Sequence, residues 1–312
     1  MKRLLWIVLL FGGFLLIYAG QRDGLCLVAY NVENFFDYGH DSLKNDLDFT
    51  PQGQYRWSKT RFYRKAEQIS RVLVNIGGLY PPAIVGLCEV ENVRCMEVLC
   101  HKLHHYNYQY LLYEGLDRRG IDVGLLYDTL QLTLLHSEPI RIFSDTTLLT
   151  RDVLYAAFEI YQSRDTLYLF MCHLPSQRGG AKQSEWKRDS AKSVIRSLTH
   201  EILTRNPQAQ IVVMGDMNTT PKEDLLPLTN SMLAYNNKDL GTHRYHGIWT
   251  CLDQAYVSPS LTPKTTVSIY DADWLLEYDK KYLGFSPYRT FNGFHYRRNG
   301  FSDHLPIIIQ IR

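Results

Sequence analysis

Several short apolar runs in this chain stop or start on side chains that can move protons or hold phosphate. The run VMGDMNTTP (213–221) ends an apolar stretch on Asp216 and Asn218. LCLVAYNVEN (25–34) carries Asn31, AIVGLCEVEN (83–92) carries Glu89, IDVGLLYD (121–128) carries Asp122, and TLYLFMCHLPS (166–176) carries His173. CLDQAYVS (251–258) carries Asp253, and FSDHLPIIIQI (301–311) opens on Asp303 and His304. Taken one at a time, each has an ordinary structural reading, because Gly, Asp and Asn are the residues that tolerate the tight backbone after a strand. Repeated at one strand end after another, the same set fits one chemistry: attack of water on a phosphate ester.

The residue types divide among the tasks of that reaction. Magnesium takes oxygen ligands, usually one or two carboxylates completed by water and substrate phosphate. Glu89 is the candidate ligand, with Asp303 as a second ligand or a metal-orienting group; manganese or calcium would suit the same donors. A histidine held by a buried acid can take a proton from water, and Asp253 with His304 supplies that pair. Asp216 and Asn218 are placed to orient the water. Asn31 and His173 are candidate donors to phosphate oxygens as charge builds on them.

Such residues need a frame that gathers strand ends at one rim. The runs that carry them are rich in β-formers and bounded by turn residues, and they read as strands. Ser58 can cap a helix whose apolar face is Phe62, Ala66, Ile69, Val72, Leu73 and Ile76, spaced three and four apart. A second helix, from near Gln183 to Thr204, carries Trp186, Ala191, Val194, Ile195, Leu198, Ile202 and Leu203 in the same rhythm. Each has one apolar stripe with charged residues opposite, so each covers a sheet and faces water. Strands from Ile121 to Leu174 follow through short connections, which predicts antiparallel meanders rather than repeated βαβ units. The expectation is a layered α/β sandwich with its polar groups at one rim.

The motifs NVENFF, LCEVEN, RRGIDVGLLYD, CHLPSQRGG, GDMNTTP, LDQAYVS and SDHLP, from about Leu25 to the end, resemble those of the endonuclease/exonuclease/phosphatase superfamily. The combination of GDMN with SDHLP is specific; NVEN or LDQ alone would be weak. The resemblance implies a four-layered sandwich of two packed, mainly antiparallel sheets flanked by helices, with a divalent metal at one end. It implies Glu89 as principal metal ligand, His304 as general base, Asp253 as its partner, Asp216 and Asn218 around the nucleophile, and Asn31 and His173 at the phosphate. It also places Asp122 as an acid that orients His173. The histidine of CHLPS matches the deoxyribonuclease, 5-phosphatase and sphingomyelinase pattern. Abasic-site enzymes use a tyrosine a little further on, where this chain reads SEWKRD, so that activity is disfavoured.

Substrate choice is less marked. Arg178 with Gly179 and Gly180 can cradle a phosphate, since glycine lets backbone amides approach and arginine grips two oxygens; Arg119 is a second such candidate. In GTHRYHGIW (241–249), Tyr245 and Trp249 alternate with cations and could stack on a base or sugar. The late segment YRTFNGFHYRRNG (288–300) is a candidate lid, and one of these two loops, not both, is expected to meet substrate. Nuclease action is the leading expectation. A phosphatase or phosphodiesterase acting on lipid headgroups or sugar phosphates is the alternative, and a binding protein that lost catalysis is a further one, opposed by the completeness of the set.

Residues 1–20 set Lys2 and Arg3 before an apolar run to Ala19, the pattern of a signal peptide or an N-terminal membrane anchor. The expectation is an exported domain over 21–312, periplasmic, secreted or anchored facing outward, and monomeric, with no protein partner. Lys plus Arg number 34 against 32 Asp plus Glu, and losing residues 1–19 removes Lys2 and Arg3, leaving 32 against 32. A neutral domain argues against binding that relies on neutralising many phosphates. Six cysteines permit disulfides outside the cytoplasm, but no CxxC pair supports zinc.

Overall fold

The computed structural model describes residues 24–142, 150–177, 181–222, 225–235 and 239–312. Residues 1–20 and Arg178 to Gly180 lie outside them. In chain order the first elements are β1 (Leu25–Phe35), α1 (Lys59–Gly77), β2 (Ile84–Val90), α2 (Val93–Lys102), β3 (Tyr108–Leu112), β4 (Asp122–Asp128), β5 (Leu132–Ile140), β6 (Val153–Ile160) and β7 (Thr166–His173). There follow α3 (Ala181–Arg205), β8 (Gln210–Asp216), β9 (Thr229–Asn230), β10 (His243–Tyr245), β11 (Ile248–Thr250), β12 (Asp253–Val257) and β13 (Thr265–Ile269). The last are β14 (Leu276–Tyr278), β15 (Phe285–Pro287), β16 (Phe291–Asn292), β17 (His295–Tyr296) and β18 (Ile307–Ile311).

Two six-stranded sheets form the body, one in the order β13-β18-β1-β2-β4-β3 and the other β5-β6-β7-β8-β12-β9. Each is antiparallel except for one parallel pair, β1 with β2 and β7 with β8. A parallel pair needs a crossover, and α1 and α3 supply them, so each sheet contains one βαβ unit. The predicted meander therefore holds for β5–β6–β7 only. Strand β4 pairs with β2 and β3 in the first sheet, and the chain changes sheets across residues 129–131.

Alternation along the strands sorts side chains into the layers. Leu169 and Met171 of β7 and Val212 and Met214 of β8 join the large core between the sheets. Phe170, Cys172, Ile211 and Val213 point the other way, into a smaller core with Ala191 and Ile195 of α3. The sheets meet closely at Gly86, where a Cβ would lie 2.4 Å from Met171 Sδ. Helix α1 starts as expected: Ser58 accepts the Arg61 N–H, and Phe62, Ala66, Ile69, Val72, Leu73 and Ile76 are all buried. In α3 the apolar stripe holds at Ala191 and Ile195, but Trp186 is 47% exposed while Ser184 and Arg188 of the same turns are buried. With α1 and α2 packed together outside the first sheet and α3 outside the second, the result is the expected four-layered sandwich.

Topology gathers the polar residues. The C-terminal ends of β1, β2, β7 and β8 share a rim with the N-terminal starts of their antiparallel neighbours. Asp253 pairs with Asp216, Asp122 with Val90, and His173 with Asp216 in the ladders.

Candidate active site

Three strand ends reach this rim by leaving regular geometry. Strand β1 bulges between Asn31 and Phe35, with Glu33 and Asn34 at φ of 53° and 54°. Strand β2 bulges between Cys88 and Val90, with Glu89 at φ 66°. Bulges re-aim a side chain beside active sites, and a non-glycine residue held at positive φ costs of order 1–3 kcal/mol that the surroundings must supply. Here the two bulges face one another, so that Asn34 N–H donates to Glu89 Oε2 at 2.8 Å. Before Asp216 stands Gly215 at φ 131°, where a Cβ would lie 2.0 Å from Cys172 O. Only glycine lets β8 approach β7 closely enough to set Asp216 beside His173.

The hub is Asp216 Oδ2. Asn31 Nδ2 donates to it at 3.0 Å, His173 Nε2 lies 3.6 Å away, and His304 Nε2 lies 3.9 Å away. The other ring nitrogen of His304, Nδ1, is 2.7 Å from Asp253 Oδ2. Asn218 donates its N–H to Asp216 Oδ1 at 2.8 Å and its Nδ2 to Leu174 O at 2.9 Å. Ser302 Oγ donates to Asn31 O at 2.6 Å and accepts the His304 N–H at 3.1 Å, tying the SDHLP segment to β1. Asn31, His173, Asp216, Asn218, Asp253 and His304 are thus brought together, while Glu89 is tied to the rim through Asn34.

Electrostatics divide the two histidines. Burial alone would lower His304, but Asp253, through charge and hydrogen bond, with Asp216 and Asp303, raises it well above an ordinary histidine. Burial together with Arg151, Arg119 and His304 holds His173 far below the ordinary value. Burial also raises Asp216, with His304 pulling against it. Their neighbours thus drive the two histidines in opposite directions.

Other predicted residues stand differently. Asp122 accepts the Gly115 N–H at 3.0 Å, while His173 Nδ1 has no hydrogen-bond partner, so the expected Asp122–His173 bond is not made. A Cβ on Gly115 would meet Asp122 Oδ1 at 2.4 Å, which shows how tightly the loop holds that acid. Arg119 is bound back to Asp117 at the rim near His173. Tyr245 is exposed in the hairpin of β10 and β11, and Trp249 is half-buried against the main core. The expected lid at 288–300 is fixed instead: Phe291 and Tyr296 pack on Trp57 at 5.7 and 6.1 Å.

Sequence reasoning missed the groups behind the rim. Arg151, buried, donates to His173 O, Leu174 O and Asp117. Buried Glu33 accepts the Thr290 N–H at 2.6 Å, and buried Lys65 donates to Thr290 Oγ1 and Phe301 O. Arg289 donates to Asp303 Oδ2 at 2.9 Å. The ring of His243 lies 4.8 Å from that of His304, and burial first, then His304, lowers it to about 4. Charged residues inside otherwise apolar runs, such as Lys65 on the α1 face, were the available signal.

Among the described residues, two groups place three ligand atoms within 4.8 Å of one another: His243, Asp303 and His304, and Asp216, Asp253 and His304. Either acidic cluster could hold a divalent metal. Glu89 belongs to neither group. Its half-buried carboxylate, with one oxygen fixed by Asn34 and the Asn31 amide on the neighbouring strand, is still a hard-oxygen setting that suits magnesium.

A buried acid–imidazole pair beside carboxylates and amides, at the rim of a two-sheet sandwich, defines a metal-assisted hydrolase site. The family model described as the Endonuclease/Exonuclease/phosphatase family matches residues 26–312, and the chain belongs to that family, whose enzymes hydrolyse phosphate esters and use divalent metals. Solved structures share the fold. Truncated TDP2 of Caenorhabditis elegans superposes with TM-score 0.61 at 16% identity, covering 92% of this chain and 96% of that one. The human Nocturnin catalytic domain with bound sulfate gives 0.57 at 16%, covering 94% and 96%. An endonuclease/exonuclease/phosphatase family protein of Bacteroides thetaiotaomicron gives 0.54 at 14%, covering 93% and 98%. No curated protein matches the sequence at a significant level.

Proposed function

We propose that the chain is an exported, magnesium-dependent phosphodiesterase of endonuclease type that hydrolyses its substrate by in-line attack of water. The observation that carries this reading is the unbroken contact chain Asp253–His304–Asp216–Asn31. The export part is supported by the pattern of residues 1–20; among the described residues no helix is long and apolar enough to cross a membrane.

Each residue's task follows from its surroundings. Asp253 fixes the Nδ1–H tautomer of His304, leaving Nε2 to take a proton from a water placed between it and Asp216. The acids that raise His304 then hold the imidazolium once it forms. Asn31 Nδ2 and the neutral ring of His173 face the same oxygen of Asp216, where they can donate to a phosphoryl oxygen without adding charge. Glu89 would hold the metal, which supplies charge stabilisation to the phosphoryl group; Asp303, kept ionised against its burial by His304 and Arg289, orients the groups around it.

The test is plasmid nicking beside phosphate release from inositol phosphates and sphingomyelin hydrolysis, each with and without chelator. Nicking that EDTA abolishes and magnesium restores is expected. Turnover of only the lipid or inositol substrates would move the reading to a headgroup or sugar-phosphate esterase, and chelator-resistant turnover would remove the metal. Glu89→Gln should raise the magnesium concentration for half-maximal activity at least tenfold; an unchanged requirement in a magnesium titration counts against that ligand.

A further inference from the structure

A cleft of about 550 Å³ opens beside the catalytic rim, sharing Asp303 and Arg289 with it and running between the β10–β11 turn and the β14–β15 hairpin. That volume lies within the range of small-ligand sites. Its walls are braced. Arg244 Nε donates to Gly247 O at 3.0 Å and Nη2 donates to Leu283 O at 3.0 Å, clamping one hairpin to the other. Gly247 and Gly284 sit at φ of 86° and 122° against this clamp, and a Cβ on Gly284 would lie 3.2 Å from Arg244 Nη2.

The charges in the cleft are unequal in availability. Its three carboxylates are already engaged: Glu277 with Arg297, Asp303 with Arg289, and Asp279 with the N–H groups of Lys281 and Tyr282. Five cations, Arg244, Lys280, Lys281, Arg289 and Arg297, line the cleft against these three acids, and not all of their charge is matched. Arg244 Nη1 and Arg289 Nε are buried N–H groups with no hydrogen-bond acceptor, although Arg289 Nε lies 3.7 Å from Glu33 Oε1. Lys280 and Lys281 are exposed on the same wall. An unpaired buried donor is costly; Arg289 Nε faces Glu33, so it is Arg244 Nη1, together with the exposed Lys280 and Lys281, that leaves positive charge in the cleft for an anion to meet. Beside them Tyr245 and His246 stack at 4.0 Å, presenting an exposed aromatic face.

We propose that this cleft binds a second phosphate of the substrate, distinct from the scissile one, through Arg244 and Arg289, with the connecting ring lying on Tyr245. The inference rests on the phosphodiesterase reading and adds to it where a second phosphate of the substrate is held. Arginine grips phosphate with paired N–H bonds, and the nearby ring face accepts a sugar or base. A nucleotide with phosphates at both ends and an inositol polyphosphate share this chemistry.

The experiment compares 4-nitrophenyl thymidine 5′-phosphate with the same ester carrying a 3′-phosphate, in magnesium. The added phosphate should raise kcat/KM roughly tenfold or more, mainly through KM, the size expected for one charge-assisted contact. The preference should fall to within about threefold in Arg244→Gln. Because Arg244 also braces the hairpins, Lys281→Ala provides a variant at an exposed position, and should reduce both the preference and the salt sensitivity of KM. Equal handling of the two esters by the unaltered protein, or a preference that survives both substitutions, overturns the proposal. Calorimetric titration of thymidine 3′,5′-bisphosphate against thymidine 5′-phosphate, in calcium, reads the cleft even if neither ester is cleaved. Tighter binding of the bisphosphate, lost in Arg244→Gln, then supports the site while the proposed activity fails. Inositol 1,4-bisphosphate against inositol 1-phosphate, titrated alike, shows which source of the paired phosphates the cleft prefers.

Discussion

At the residue scale the structure separates groups that share a type. His304 and His173 both reach Asp216 Oδ2, at 3.9 and 3.6 Å, yet their neighbours drive them in opposite directions. His304→Ala should lower kcat by about 10³–10⁴ or more while the protein still folds, the scale of losing a general base. Undiminished turnover by a correctly folded variant would remove that role. Asp253→Asn should cost nearly as much and add little to His304→Ala, because both act through one proton transfer. Asp122 gives a prediction about stability. Burial, opposed by Gly115 and Lys44, raises its carboxyl from 3.8 to about 7. The folded state then binds a proton that the unfolded state has released between those values, so stability falls as pH rises from about 4 to 7. Asp122→Asn keeps the acceptor for Gly115 and removes the titration. Relative to the unaltered protein, it should gain at most about 4 kcal/mol between pH 4 and pH 8, at 1.36 kcal/mol per unit. Guanidinium unfolding at the two pH values measures this, and a pH-independent difference would show that the acid is ionised throughout.

At the element scale, catalysis depends on how strands end. Gly215→Ala would place a Cβ 2.0 Å from Cys172 O at φ 131°. It should destabilise the protein by about 2–4 kcal/mol, lowering the thermal midpoint by roughly 5–15 °C. Activity should fall further than folding, because the register that pairs His173 with Asp216 must open. A variant with normal midpoint and normal kcat would show that β7 and β8 can yield at no cost. These elements also mark what the sequence made legible. The stripe of α1 and its Ser58 cap depend only on near neighbours, and they were read correctly. The motifs at strand ends also made legible the residues that meet around Asp216, namely Asn31, Asp253 and His304. Glu33 was passed over because its partner Thr290 lies 257 residues away and its contact depends on a bulge. His243 reaches His304 through an isolated bridge and a ring contact between distant segments. Trp186 was placed on the apolar stripe of α3 yet is 47% exposed, because periodicity says which residues share a face, not how much of that face is covered.

At the scale of the whole molecule, stability comes from two apolar cores rather than from cross-links. All six cysteines lie among the described residues and no disulfide joins any two of them. Cys88, Cys95 and Cys172 are fully buried, and burial raises each thiol. Cys100 is half-buried, and burial with Glu97 raises it to about 11. At pH 8 roughly a thousandth of such a thiol is thiolate, the form that reacts. Packing such as that of Phe62, Ile69 and Leu73 of α1 against the first sheet is independent of redox state, so the fold does not depend on oxidative folding. The thermal midpoint should therefore shift by less than about 2 °C, under a kcal/mol for a domain of this size, when dithiothreitol is added. With Ellman's reagent at pH 8 the native protein should show no rapid thiol and a slow reaction at Cys100, and six thiols should appear in guanidinium without reductant. A midpoint that falls on reduction, or a denatured count of four, would mean that two of these cysteines are paired and that the cores alone do not hold the sandwich.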